Sequence, residues 1–350
     1  MADADQALPT TLITGFLGSG KTTLLNGLLS HPGMADTAVI INEFGEIGLD
    51  HLLIETAFED AVLLKSGCIC CTVRGDLVDT MTSLAARRKS GEIPPFSRVA
   101  IETTGLADPA PILHTIMAEP SLTKLYRLDR VVTTVDAVNA LSQLDEHYEA
   151  AKQAALADRL VLTKTDLVGD NVRVAVLERL RELNPLAPIA IVVQGKIDPD
   201  TLFGPAPASE AERQSRLATA ATFGDGHDHD HGDHHDEADH LAHHHGISTV
   251  SITREAPVPW PKLRAWLVAL TSLKGPNLLR IKGIINVEGR AGPVVIHGVQ
   301  HVFHPPVELA AWPSDDRRSQ IVFITRNIKA ADLAKSFEAA MTDGAKISFP

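Results

Sequence analysis

Gly15-Phe16-Leu17-Gly18-Ser19-Gly20-Lys21-Thr22 fits the phosphate-loop pattern G-x-x-x-x-G-K-[ST] without gap or substitution. Its flanks are those the pattern requires. Thr10-Thr11-Leu12-Ile13-Thr14 before it is apolar and β-branched, which predicts a strand, and Thr22 to Leu29 after it predicts a helix stopped by His31-Pro32-Gly33. Strand, glycine loop and helix together cradle an anion, because backbone N–H groups curl around it and the helix N-terminus favours negative charge. Residues Gly15, Phe16, Leu17, Gly18, Ser19, Gly20 and Thr23 are read as the cradle. Lys21 would reach the β- and γ-phosphates, and the Thr22 hydroxyl would sit on Mg²⁺.

Working outward, buried-strand patterns recur at Thr37–Asn42, Ala61–Leu64, Ser97–Ile101, Asp129–Asp136, Arg159–Leu162 and Pro188–Val193. Helical patterns separate them: Arg74–Lys89, a helix opened by Pro109 and Pro111, one running to about Ala157, and Asn171–Leu183. Such alternation predicts an α/β fold, a doubly wound, mainly parallel sheet over residues 1–204, with its site at the strand C-termini. Two strand ends carry further chemistry. Glu102-Thr103-Thr104-Gly105 takes the place of a D-x-x-G element, with Glu102 serving the Mg²⁺ shell and the Gly105 N–H the γ-phosphate. Thr163-Lys164-Thr165-Asp166 is similar to the guanine-reading N-K-x-D, with Thr163 in place of Asn. Asp166 can accept from guanine N1–H and N2–H₂, a donor pair adenine lacks, so the expected nucleotide is GTP. Lys164 would lay its aliphatic stem along the base.

Between the phosphate loop and Glu102 lie two unusual segments. Glu43-Phe44-Gly45-Glu46-Ile47-Gly48-Leu49-Asp50 is an acidic loop where a GTPase carries a switch, and Glu43 and Glu46 are the candidates for positioning the attacking water. All three cysteines of the chain, Cys68, Cys70 and Cys71, fall within four residues. That spacing suits a thiolate site for Zn²⁺ or Cu(I); a redox pair and simple packing are the weaker alternatives. A tetrahedral site would need a fourth ligand, which a switch carboxylate could supply.

Composition narrows the class. The 350 residues are 44% hydrophobic, enough for real cores, and their length favours two domains. A formal charge of −12 argues against a nucleic-acid partner. No apolar run reaches the roughly 18 residues of a membrane span, and the N-terminal residues have neither the basic start nor the apolar stretch of a signal peptide, so the expected location is cytoplasmic.

From Pro205 the composition changes. The run from His227 to His245 holds nine histidines (His227, His229, His231, His234, His235, His240, His243, His244 and His245), interleaved with carboxylates and without Lys or Arg. Residues 205–246 are therefore read as a flexible linker or insertion, and the imidazoles as a weak collecting site for Zn²⁺, Co²⁺ or Ni²⁺. Residues 247–350 predict a smaller α+β domain with an antiparallel sheet: a strand at Ile247–Thr253, a helix at Trp260–Leu273, strands near Leu278–Val287, Pro293–Val299 and Gln320–Thr325, and a helix at Ala330–Met341. Its scattered His297, His301 and His304 read more simply as surface or packed residues than as ligands.

Taken in order, residues 15–23, Asn-Glu-Phe-Gly-Glu-Ile-Gly-Leu-Asp at 42–50, Gly-Cys-Ile-Cys-Cys-Thr at 67–72, Glu-Thr-Thr-Gly-Leu-Ala-Asp-Pro at 102–109 and Thr-Lys-Thr-Asp at 163–166 resemble the CobW family of metallochaperone GTPases. Leu278–Gly283 and Trp312–Ser319 are similar to that family's C-terminal domain, so the resemblance covers nearly the whole chain. It implies a GTP-dependent carrier that passes a Zn²⁺ or Co²⁺ cargo to a client metalloprotein; because no residue stands out as the water-positioner, slow GTP hydrolysis is expected. The metal ligands would be drawn from Cys68, Cys70 and Cys71, with Glu46 as a helper. Some members carry an additional acid where this chain has Ile41, so a metal site using that acid is absent or altered here. Two other classes fit the same motifs: a nucleotide-independent metal buffer, and a regulatory GTPase whose metal site is structural.

Overall fold

The computed structural model describes residues 7–42, 63–66, 73–204 and 245–342. The chain divides into two compact units, Met1–Arg181 with Ala187–Pro205, and Glu182–Leu186 with Ala206–Pro350.

The first unit is built on seven strands: β1 (Leu8–Gly15), β2 (Thr37–Asn42), β3 (Leu63–Ser66), β4 (Arg98–Glu102), β5 (Tyr126–Asp136), β6 (Arg159–Thr163) and β7 (Ile189–Val192). They form one sheet in the order β3-β2-β4-β1-β5-β6-β7, with every neighbouring pair parallel. The helices are α1 (Lys21–Leu29), α2 (Val73–Ser90), α3 (Ala110–Ala118), α4 (Ala140–Glu146), α5 (Tyr148–Leu156), α6 (Asp170–Leu183) and the short α7 (Pro199–Phe203). Alternate strand residues face opposite sides. Ile13, Val39, Ala100, Val132 and Val161 meet Leu24, Leu25 and Leu28 of α1 on one side. Thr133 turns to the other side and donates to the Gln153 carbonyl of α5 at 2.9 Å. Because the strands are parallel, the loops after β1, β4, β5 and β6 all leave from one carboxyl edge.

Two expectations needed correction. β5 begins at Tyr126 rather than Asp129, since Leu8, Pro9 and Thr10 pair with Tyr126, Arg127 and Leu128; the charged Arg127 hides this stretch from an apolar-run reading. The helical stretch ending near Ala157 is two helices, α4 and α5, broken at His147, whose backbone is extended (φ −118°, ψ 111°). Neither glycine nor proline marks that break in the sequence.

The second unit contributes β8 (Ile247–Arg254), α8 (Trp260–Lys274), β9 (Leu278–Ile285), β10 (Val294–Val299), the short β11 (Val302–Phe303) and β12 (Val307–Glu308), β13 (Ser319–Arg326) and α9 (Ala330–Met341). Its sheet is antiparallel, in the order β11-β10-β9-β13-β8 with β12 on β10. The core is centred on Trp266, which meets Phe323 and Phe337 edge-on at 5.8 and 5.2 Å. Its indole N–H donates to Ser336 Oγ at 3.2 Å, so the one polar atom of this buried ring is satisfied. The two-residue strands were not legible beforehand, because two residues carry no periodicity.

Candidate functional site

The phosphate loop leaves β1 through Gly15, whose φ of 147° and position against β5 both exclude a side chain. A Cβ there would lie 2.1 Å from Thr134 Oγ1 and 2.5 Å from the Thr134 carbonyl. Ser19 Oγ and Thr134 Oγ1 are 2.7 Å apart, and Thr134 Oγ1 donates to the Thr14 carbonyl at 3.2 Å, which ties the loop to its neighbouring strand. Gly20, in a left-handed conformation, then starts α1. The first turn of α1 holds no acidic residue, so no carboxylate competes for the anion position at its N-terminus.

Lys21 is buried and folds back over the loop, donating from Nζ to the carbonyls of Gly15 at 2.8 Å and Phe16 at 3.1 Å. Burial lowers its pKa, and the negative charge of Glu102 opposes that shift. Glu102 is itself buried at the end of β4. The loop after it is tied to β1: the Thr103 N–H donates to the Ile13 carbonyl at 2.9 Å, and Thr103 Oγ1 to Thr14 Oγ1 at 2.8 Å. Thr22 is half-buried, Thr23 is exposed and Gly105 is buried.

At the end of β6, Thr163 Oγ1 donates to the Ser19 carbonyl at 2.8 Å and stands 3.1 Å from that of Val135. Lys164 follows with φ 57°, left-handed backbone that non-glycine residues seldom adopt. Its ammonium lies 2.8 Å from Asp136 Oδ2, which also accepts from Asn139 Nδ2 at 2.8 Å, while Asp136 Oδ1 accepts from the Val138 N–H at 2.9 Å. Burial alone would raise the Asp136 pKa; the bonds from Lys164, Asn139 and Val138 outweigh it and hold the carboxyl below the usual carboxylate range. Asp166 is exposed, at a cleft of about 200 Å³ lined also by Gly20, Thr23, Lys164, Gln194 and Gly195. Phosphate loop, Glu102 loop and Thr163–Asp166 thus converge at one edge of the sheet.

Asp136 and Thr134 were missed by sequence reasoning. Their signal was available: both are polar residues at the carboxyl end of a strand, where the loops of a parallel sheet build its site. Glu43, Glu46, Cys68, Cys70 and Cys71 lie outside the described residues, as do His227, His229, His231, His234, His235, His240, His243 and His244. His245 is described just ahead of β8, where its carbonyl accepts from Arg326 Nε at 3.3 Å. The His297 carbonyl on β10 accepts from the His304 N–H at 3.0 Å, and the two rings meet edge-on. Among the described residues no group of three His, Cys, Asp or Glu side chains is arranged to hold a metal, and no helix is long and apolar enough to cross a membrane.

Comparison with known proteins bears on the same residues. Residues 9–191 match the family described as CobW/HypB/UreG, nucleotide-binding domain, and residues 247–341 match the cobalamin synthesis protein cobW C-terminal domain. The chain is 33% identical over 327 residues to the zinc chaperone YjiA of Escherichia coli, covering 93% of this chain and 96% of that one. It is 29% identical over 368 residues to the zinc chaperone CobW of Pseudomonas aeruginosa, covering 95% and 92%. The crystal structure of Zn(II)-bound YjiA GTPase from E. coli superposes with a TM-score of 0.70 at 29% identity, covering 96% of this chain and 99% of that one.

Proposed function

The chain belongs to the CobW/HypB/UreG family of nucleotide-binding proteins, and from that premise we propose that it is a GTP-hydrolysing zinc chaperone that loads a client metalloprotein. One observation carries the reading beyond kinship. Asn42 and Ser66 are register partners at the carboxyl ends of β2 and β3. Both strand ends stand at the edge that carries the phosphate loop, and in the sequence Glu43 and Glu46 follow the first while Cys68, Cys70 and Cys71 follow the second. A metal held by those thiolates would respond to the nucleotide, because switch segments are ordered by the γ-phosphate and relax after hydrolysis.

The described residues fit Mg²⁺. A hydroxyl at Thr22 and a carboxylate at Glu102, whose charge acts on Lys21, are the hard oxygen donors that would hold that ion, which when bound would supply positive charge against the phosphates. Lys21 and the loop N–H groups hold the β- and γ-phosphates; Glu43 and Glu46 are the water-positioning groups; Asp166 and Lys164 select guanine. Zn²⁺, with Co²⁺ as an alternative cargo, is bound by Cys68, Cys70 and Cys71 with help from Glu46. The histidines from His227 to His245 collect metal weakly on a linker between a GTPase domain (1–204) and a C-terminal domain (247–350).

The test is phosphate release from GTP and from ATP by the full chain with Mg²⁺, paired with Zn²⁺ competition against a chromophoric chelator. Expected are GTP turnover on the order of 10⁻³ s⁻¹ without a partner, little turnover of ATP, and one tight Zn²⁺ that Cys70→Ser abolishes and deletion of 227–245 retains. No GTP turnover, or a tight site that survives Cys70→Ser, would overturn the reading.

A further inference from the structure

The segment His147–Gln153 touches both nucleotide loops. The His147 ring stacks on Phe16 of the phosphate loop, with centroids 4.8 Å apart and planes at 23°. Gln153, 1% exposed, donates from its amide nitrogen to the Gly105 carbonyl at 3.1 Å and the Ala107 carbonyl at 3.0 Å. With two carbonyls as partners, the amide orientation is fixed: only nitrogen can face them. Lys152, also buried, reaches Asp108 Oδ2 at 2.6 Å, while Asp108 Oδ1 accepts from the Ala110 N–H at 3.1 Å. The loop gripped in this way rests directly on the phosphate loop, since a Cβ on Gly105 would lie 2.9 Å from both N and Cα of Leu17.

The Gln153 side-chain oxygen has no partner among the described residues, and Gln153 lines a cavity of about 10 Å³ together with Phe16, Thr133, Thr134 and Gln143. The amide is therefore held by its two donors alone. Moving the Gly105–Ala107 segment away would break both bonds and strand a buried amide, which favours one position of the loop.

We propose that Gln153 is a positioning residue for hydrolysis: by holding the Gly105 carbonyl it fixes Gly105 over the phosphate loop, so that the Gly105 N–H, on the preceding peptide, meets the γ-phosphate. Lys152 assists through Asp108. This rests on the reading of the chain as a GTPase, and the test separates the two.

Steady-state GTP hydrolysis with Mg²⁺ and equilibrium GDP binding are measured on the full chain for wild type, Gln153→Met and Lys152→Met. Methionine keeps the length of Gln153 and removes both donors. The expected result for Gln153→Met is a kcat lowered by about 10- to 100-fold, as for small misplacements of a reacting geometry, with KM and GDP affinity unchanged. Lys152→Met shifts kcat the same way but less. A purely structural brace would instead lower kcat and GDP affinity together, and that outcome, or an unchanged kcat, overturns the assignment. Should Gln153→Met fail to fold, Lys152→Met decides by the same criteria. Absent turnover in the wild type would overturn the GTPase reading itself, and this inference with it.

Discussion

Thr163 donates its hydroxyl hydrogen to the Ser19 carbonyl over 2.8 Å, joining the end of β6 to the phosphate loop. Where an asparagine would have offered an amide, this chain uses its hydroxyl to brace the loop. Thr163→Val preserves shape and leaves the Ser19 carbonyl without that donor, an error costing about 1–3 kcal/mol at a buried site. Nucleotide affinity should fall by about tenfold, the equivalent of 1.4 kcal/mol, for GTP and ATP alike, because the phosphate cradle is loosened rather than the base pocket. Titration with fluorescent GDP and ADP analogues checks it.

In the proposed GTPase, base choice would rest on Asp166, which lies exposed at the cleft. Asp166→Ala should weaken GTP binding by roughly 1–3 kcal/mol, the worth of a bidentate base contact, and leave ATP binding where it was. Wild-type protein that binds both nucleotides equally would contradict the assignment.

Asp136 gives a pH signature. Its carboxyl is held below the usual range in the folded chain, so the folded state binds fewer protons than the unfolded one just below the unfolded pKa. The Asp136 contribution is present above that value and is lost as pH falls through the lower, folded one. Asp136→Asn should flatten the acid limb of stability against pH while lowering stability near neutrality, as read by urea unfolding from pH 7 down to about 3.

Gly27 sits inside α1, where alanine normally gains about 1 kcal/mol in helix propensity. Here a Cβ would lie 2.1 Å from the Gly195 carbonyl oxygen, so backbone must move, and overpacking of this kind costs about 1–3 kcal/mol. Steric overlap wins, and Gly27→Ala should lower the thermal midpoint of the GTPase unit. An increase would show that the 194–196 turn yields freely.

The phosphate-loop motif and the alternation of apolar strands with amphipathic helices made the parallel sheet legible, because backbone period and burial leave a local trace. The anchors of the site were less so. Asp136 ends β5, a segment that sequence reading took only as a strand, and its role appears when the sheet brings it beside Lys164, 28 positions later. Gln153 reads as one polar residue among alanines until α5 folds onto the Gly105 loop. The break at His147, whose ring stacks on Phe16, had no glycine or proline to announce it. Local pattern encodes the elements, whereas long-range pairing encodes the constellation.

The account centres on metal affinity that follows the nucleotide. The most direct measurement is Zn²⁺ affinity of the full chain by chelator competition, with Mg²⁺ and either a non-hydrolysable GTP analogue or GDP. Zn²⁺ should bind tighter in the analogue state, by about 5- to 150-fold for a coupling of 1–3 kcal/mol, and by linkage Zn²⁺ should raise analogue affinity by the same factor. Cys70→Ser should erase that difference while leaving metal-free nucleotide binding intact. Equal Zn²⁺ affinities in the two nucleotide states would contradict it, leaving a GTPase with a static metal site.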